Sequence, residues 1–254
     1  MPLDFTLNKY KSLCEAILNS QYTPVTVEKY LKSKFENDCV IFRHDVDKSA
    51  KIALKMAELE SNLGIKSTYY FRMKKKTFVP EILSQIQNLG HEVGYHYEVL
   101  DKSKGDYALA MSIFEAELNT FREYVDVETI CMHGNPLSKW TNKDIWSRYS
   151  LEEYNLIGEA YLSIDYNNVE YFTDTGRTWN EKYSLKDHVT TGQNHSKVDT
   201  TDNLINLINV KKLSKICINT HPKRWNDKLF FWANELITQT SKNCIKKSLK
   251  NKLL

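Results

Sequence analysis

Four short β-type runs between residues 40 and 132 are separated by segments with helical spacing, and this alternation limits the fold more than any other feature. Val40, Ile41, Phe42 and Arg43 read as a strand; Ile52, Met56, Leu59 and Leu63 then recur at helical spacing and stop at Gly64, a natural C-terminal signal. Residues 67–71 are rich in β-formers, Ile82, Leu83, Ile86 and Leu89 mark a helix ended by Gly90, and residues 92–96 read as a third strand. Tyr107, Met111, Phe114, Leu118 and Phe121 keep one face of a longer helix before a fourth strand over 129–132. Such alternation requires parallel strands joined by right-handed crossovers, hence a doubly wound sheet or a barrel. With 254 residues and 41% hydrophobic content, the chain can bury one large α/β core as a single unit.

Helical stretches over about 7–18 and 25–35 precede this region. Residues 136–179 are crowded with Tyr and Trp and weakly periodic, which predicts long loops with short strands over 161–164 and 170–173; loops of that length usually carry function. A helix over 204–208, a strand over 216–219 and a last helix over about 227–247 follow. A net charge of +3 gives no reason to expect a nucleic-acid partner. No run approaches the ~20 apolar residues of a spanning helix and no apolar secretion signal is visible, so a cytoplasmic protein is expected. The five cysteines are scattered, with no C-x-x-C pair, and read as reduced and mostly buried.

The first strand ends in Phe42-Arg43-His44-Asp45-Val46-Asp47. The C-terminal ends of strands are where α/β folds bind ligands. Period-2 alternation sends Asp45 and Asp47 to one face of an extended strand and Val46 to the other. Two carboxylates that close share either a proton or a metal; alternatively, Asp47 caps the following helix. His44, His96, His133 and His221 all fall at or just beyond predicted strand ends. A lone histidine is more often a core or surface residue, but with the two aspartates these four make an N/O donor set suited to zinc or a similar divalent ion.

The ordered motifs Asp45-Val46-Asp47, Gly90-His91-Glu92-Val93-Gly94-Tyr95-His96, Cys131-Met132-His133-Gly134-Asn135-Pro136, Thr173-Asp174-Thr175-Gly176-Arg177-Thr178-Trp179 and Ile218-Asn219-Thr220-His221-Pro222 resemble the polysaccharide deacetylase (NodB-homology, carbohydrate esterase 4) superfamily. The resemblance covers about residues 40–225 and is to a divergent branch found in surface-polysaccharide gene clusters. It implies a distorted (β/α) barrel of about seven parallel strands over 39–240, after an N-terminal helical extension (1–38) and before a basic tail (241–254). It also implies metal-dependent removal of an N-acyl group, such as acetyl, from a sugar.

By position, the resemblance makes Asp45 the catalytic base, Asp47 and His96 metal ligands, and His221 the general acid toward the departing amine. The family's second metal histidine falls four residues after the first, where this chain has Leu100. Three protein ligands plus water is the usual catalytic arrangement, so a replacement is needed. His133 is the first choice and Glu98 the second. His91 reads as an exposed or capping residue, because five residues of extended chain carry it ~16 Å from His96. Asp174, Arg177 and Trp179 resemble the family's late Asp-and-Trp motif, in which Asp174 supports the catalytic groups. Arg177 then holds Asp45, binds substrate or makes a structural salt bridge. Arg43, Asn135 and Trp179 are expected at the substrate. Asn135-Pro136 replace an arginine-proline pair, so Arg43 or Arg177 would orient the base.

The implied reaction is amide hydrolysis with one divalent ion, zinc first, with cobalt, nickel or manganese as alternatives. The expected substrate is a nucleotide-linked or lipid-linked N-acylated sugar. Tyr149, Tyr154, Tyr161, Tyr166 and Trp179 suit stacking on sugar faces, although such side chains more often pack in a core. Two rivals stand beside this reading, a metal-dependent phosphoesterase and, because of Leu100, a catalytically inactive sugar-binding homologue. In the tail, Ile245, Leu249 and Leu253 recur every four positions beside Lys242, Lys246, Lys247, Lys250 and Lys252. That pattern suits either a solvated terminus or a weak contact with an anionic membrane surface.

Overall fold

The computed structural model describes residues 3–33, 35, 37–186, 189 and 198–253. At its centre lies one sheet whose pairings are all parallel, with β2 (Cys39–Val46) in the middle. On one side follow β3 (Thr68–Phe71), β4 (Glu92–Tyr97), β5 (Thr129–Met132) and β6 (Gly158–Glu159); on the other lie β8 (Lys215–Thr220) and β7 (Glu170–Thr173). These seven strands form an incomplete (β/α) barrel, one of the two classes the alternation allows and the one the resemblance implies. The sheet curls far enough for its two ends to meet: the hydroxyls of Tyr161, just past β6, and Tyr171, on β7, are 3.5 Å apart. An eighth strand, β1 (Thr23–Val25), pairs with the first half of β2, whose second half pairs with β3.

Every residue of β2 is buried, which is why the strand reads as a nearly continuous apolar run until its charged end. Helices α1 (Leu7–Asn19), α2 (Val27–Ser33), α3 (Ala50–Asn62), α4 (Pro80–Asn88), α5 (Val99–Lys102), α6 (Tyr107–Arg122) and α7 (Thr201–Val210) accompany the sheet. Thr6 and Asp106 cap α1 and α6, accepting from the backbone N–H groups of Lys9 at 3.1 Å and Leu109 at 3.0 Å. Gly94 is required by contact: a Cβ there would lie 2.5 Å from the Tyr70 ring and 2.6 Å from the carbonyl oxygen of Thr129. Strands β3, β4 and β5 could not then keep their spacing.

Three expectations are corrected. Residues 161–164 form no strand; the short strand of that region is β6, two residues long and placed just before them. The N-terminal segment is not only helical, since β1 joins the sheet. The last helix, α8 (Leu229–Leu253), runs unbroken through residue 241, so the basic tail continues a helix that begins beside the barrel. No helix among the described residues is long and apolar enough to cross a membrane.

Candidate active site

Strand alternation decides which side chains reach the C-terminal mouth of the barrel. Arg43 and Asp45 face the interior, whereas His44, between them, faces α3. Asp45 and Asp47 share the mouth as predicted, and with His96, His133 and His221 they line one pocket of about 280 Å³. Four separate strand ends, those of β2, β4, β5 and β8, therefore converge on one site.

Asp47 sits between the two histidines. Its Oδ1 is 3.7 Å from His96 Nε2 and 3.4 Å from His133 Nε2, and it is buried without accepting a hydrogen bond among the described residues. Ligand atoms around a tetrahedral ion with bonds of about 2.0–2.1 Å stand about 3.3–3.4 Å apart, and the two separations from Asp47 Oδ1 are close to that. The His96 ring is oriented as well: its Nδ1 lies 3.0 Å from the carbonyl oxygen of Cys131, which makes Nδ1 the donor and leaves Nε2 with its lone pair toward Asp47, the arrangement typical of metal-bound histidine. His133 Nδ1 lies 3.7 Å from Glu98 Oε2 and makes no hydrogen bond among the described residues. Burial lowers the pKa of both rings, that of His133 to about 3, against the opposing pull of Asp47, so both are neutral as ligands must be. For Asp47, burial acts upward but is outweighed by Lys223, His133, His221 and His96, which hold it well below the usual carboxylate range.

Among the described residues, the donor triplets whose atoms all lie within 4.8 Å of one another are Asp45–His96–Cys131 and Glu98–Asp101–His133, which share His96 and His133 with the Asp47 site. They fit a metal less well. Burial pushes the Cys131 thiol up, leaving it protonated, and Arg43 Nη1 lies 3.1 Å from its sulfur. Both oxygens of Glu98 are engaged by cations, Oε2 by Arg72 and Oε1 by Lys74 at 3.1 Å. Glu98 thus stands behind His133 rather than in its place. Leu100, at the position of the family's second histidine, is buried on α5.

Asp45 is nearly inaccessible to solvent except through the pocket. Its Oδ2 accepts from Asn219 Nδ2 at 2.9 Å and lies 3.6 Å from Arg43 Nη2. Burial raises its pKa, but Arg43, His96, His221 and Asn219 together bring it below the ordinary value. Arg43, fully buried, also donates toward the Tyr171 hydroxyl at 3.3 Å and stacks 4.5 Å over the Tyr161 ring. It thus stands behind Asp45 and does not line the pocket, so the expectation that it touches substrate is corrected.

Across the pocket, His221 Nδ1 is 2.6 Å from Asp174 Oδ1, and the His221 backbone N–H donates to Asp174 Oδ2 at 2.9 Å. Trp225 Nε1 donates to Oδ2 at 2.9 Å and Arg224 pairs with Oδ1. Burial pushes the Asp174 carboxyl up, yet Arg224, His221 and these hydrogen bonds bring it down to about 2. A carboxylate on Nδ1 fixes the ring tautomer and leaves Nε2 for the cavity.

Several expected residues lie elsewhere. Trp179 is fully buried, stacks on Phe5 and donates to Thr201 Oγ1 at 3.1 Å, so it belongs to the core. The Arg177 guanidinium lies 4.8 Å over Phe5 and 5.1 Å over Trp232 and neither holds Asp45 nor lines the pocket. Asn135 does line it, although its Oδ1 accepts from the Leu137 N–H at 3.1 Å. Of the five aromatic residues expected to stack on sugar, Tyr161 alone lines this pocket. His44 and His91 are both buried on Glu60, at 2.9 and 3.7 Å, so the reading of His91 as an exposed or capping residue is also corrected. Sequence reasoning missed Lys223, whose Nζ is 3.0 Å from Asp47 Oδ2, and Arg72, 3.8 Å from Oδ1. It also missed the wall that α8 contributes through Gln239, Lys242, Ile245 and Lys246.

No family model and no curated protein matches the chain. Among solved structures it is similar to CE4 family members. One is a CE4 family pseudoenzyme from Bacillus anthracis, at 12% identity over 85% of this chain and 62% of that one, with a TM-score of 0.40. Another is the Xyl-CE4 domain of a multidomain xylanase from the hindgut metagenome of Trinervitermes trinervoides, at 12% identity over 85% of each chain and a TM-score of 0.42. A third is a candidate polysaccharide deacetylase from Mycobacterium smegmatis, at 12% identity over 91% of this chain and 95% of that one, with a TM-score of 0.44. The chain spans about 62% of the length of the Bacillus anthracis protein. At this identity and superposition, the assignment of residues to roles rests on the site itself.

Proposed function

We propose that the protein is a divergent polysaccharide deacetylase that removes an N-acyl group from a sugar, with a divalent ion held by Asp47, His96 and His133. The observation that carries this reading is the buried Oδ1 of Asp47, which accepts no hydrogen bond among the described residues and lies 3.4 and 3.7 Å from two neutral imidazoles in the pocket that also contains Asp45 and His221. When bound, such an ion polarises the acyl carbonyl and acidifies water. Asp45, held rigid by Arg43 and Asn219, accepts the proton of the attacking water. As a carboxylate of low pKa it is a weak base alone, which suits a water already acidified. His221, with Nδ1 fixed by Asp174, donates from Nε2 to the departing nitrogen, without which the amine is a poor leaving group. Zinc suits two imidazoles and one carboxylate, and cobalt, nickel or manganese could replace it. Unpaired cysteines, four of them buried, agree with a reducing compartment such as the cytoplasm, and hence with a nucleotide-linked or lipid-linked precursor as substrate.

The test is acetate release from N-acetylated sugars by the zinc-loaded protein. Turnover that falls ~10²–10⁴-fold in both Asp45→Asn and His221→Ala supports the assignment. An Asp45→Asn protein with undiminished turnover contradicts it. One observation favours a second reading, a sugar-binding homologue without turnover: Lys223 and Arg72 already neutralise Asp47. Sugar binding without acetate release, in protein that holds no ion, would establish that reading.

A further inference from the structure

We propose that the α8 wall of this pocket is an anion subsite, which holds a phosphate group of the substrate beside the sugar that is deacylated. The inference rests on the deacetylase reading and deepens it. Hydrogen bonds fix helix α8 to the rest of the fold. Trp232 Nε1 donates to the carbonyl oxygen of Asp4 at 2.7 Å, Asn243 Nδ2 to that of Gly176 at 2.8 Å, and Lys246 Nζ to that of Tyr183 at 3.0 Å. So fixed, it turns one face to the cavity, with Gln239 buried and Lys242, Ile245 and Lys246 following at helical spacing.

The charge on this cavity is unbalanced. Its lining carries two carboxylates, Asp45 and Asp47, against six cationic side chains, Lys48, Arg72, Lys223, Arg224, Lys242 and Lys246. Arg72 and Arg224 are answered from behind by Glu98 and Asp174. Lys223 leans on Asp47, but Lys48 and Lys242 have no carboxylate within 4 Å among the described residues. Lys48, Lys223 and Lys242, from three elements, line the same space, and Lys223 and Lys48 lower the pKa of Lys242 while Glu235 acts the other way. A divalent ion on Asp47 would add to this excess. A neutral sugar offers no charge to relieve it, whereas a phosphate ester brings negative charge and several acceptor oxygens for charge-assisted bonds. The volume argues the same way. About 280 Å³ is small for a ligand pocket and suits one acylated sugar with its adjoining group better than a run of polymer.

The experiment is calorimetric titration of the full chain with N-acetylglucosamine, its 1-phosphate, inorganic phosphate, UDP-N-acetylglucosamine and a detergent-solubilised polyprenyl-diphosphate form. The sugar 1-phosphate should bind at least about tenfold more tightly than the neutral sugar, the size of one charge-assisted hydrogen bond. This advantage should shrink with added salt and disappear in the Lys48→Gln/Lys242→Gln double variant. It should persist in Lys247→Gln, whose exposed side chain does not line the pocket. Inorganic phosphate should compete with the sugar phosphate. Equal affinity for the neutral and phosphorylated sugars, no binding of any phosphate, or equal losses in Lys247→Gln and the double variant would overturn the proposal. Whichever of the nucleotide and polyprenyl forms binds more tightly than the sugar 1-phosphate identifies the source of the phosphate. Acetate release with no preference for phosphate removes the subsite and leaves the deacetylase; tight phosphate binding without acetate release does the reverse.

Discussion

Asp174→Asn separates support of the catalytic acid from simple packing. The carboxylate accepts from His221 twice, from Trp225 Nε1 and from Arg224. Its pKa is about 2 in the fold against 3.8 ordinarily. A difference of nearly two units corresponds to about 2.5 kcal/mol. Because the folded value is the lower one, this stabilisation is present above about pH 4 and is lost as pH falls through about 2. Asparagine keeps the shape, but its amide N–H groups meet donors only, and Arg224 is left without its counter-charge. At pH 7 the variant should be less stable by about 2.5–5 kcal/mol, the upper figure being that of a broken buried pair. In urea unfolding followed from pH 7 to pH 3, the gap to wild type should narrow below pH 4. Turnover should fall ~10²–10⁴-fold, because His221 loses the partner that fixes its tautomer, while KM and zinc content change little. A gap below 1 kcal/mol that does not vary with pH, or a variant with normal kcat, would refute the reasoning.

Glu92, buried at the start of β4, accepts from the hydroxyls of Thr68 at 2.6 Å and Thr129 and from the Glu28 N–H at 3.0 Å, yet burial raises its pKa to about 7. The folded value lies above the unfolded one, so its contribution is complete below about pH 4.5 and lost as pH rises through 7. Glu92→Gln should therefore be more stable than wild type at pH 8, by up to about 3 kcal/mol, and no more stable at pH 5; parallel stability curves against pH would contradict this. Trp179→Ala should cost about 3–5 kcal/mol, while Trp179→Phe should keep KM unchanged in acetate release, since the indole packs in the core. A raised KM in a stable Trp179→Phe protein would return Trp179 to the substrate.

Elements long enough to show a period were legible in the sequence, and the shortest were not. Helix α6 keeps its apolar spacing over 16 residues, whereas β1 and β6 have three and two, too few to display alternation. The pairing of Asp45 with Asp47 follows from the two-residue period, and the same rule turns His44 toward α3. The contact of His44 with Glu60 at 2.9 Å was hidden because nothing in a helical pattern marks one glutamate as buried. Trp179 and Arg177 were misplaced because Phe5, Trp225 and Trp232, which receive them, come from distant parts of the chain. The lysines of the tail read as a solvated terminus or a weak membrane contact, and only the path of α8 across the barrel mouth brings Lys242 and Lys246 to the site.

The most direct test of the central claim is elemental analysis of protein purified without a metal-affinity tag, after zinc loading and dialysis, for wild type, His133→Ala and Glu98→Ala. The account predicts about one ion per chain in wild type, near-complete loss in His133→Ala and retention in Glu98→Ala with affinity weakened ~10–100-fold, as befits a carboxylate behind a ligand. A wild-type protein that holds no ion, or a His133→Ala protein that keeps its ion while Glu98→Ala loses it, would contradict the assignment of Asp47, His96 and His133.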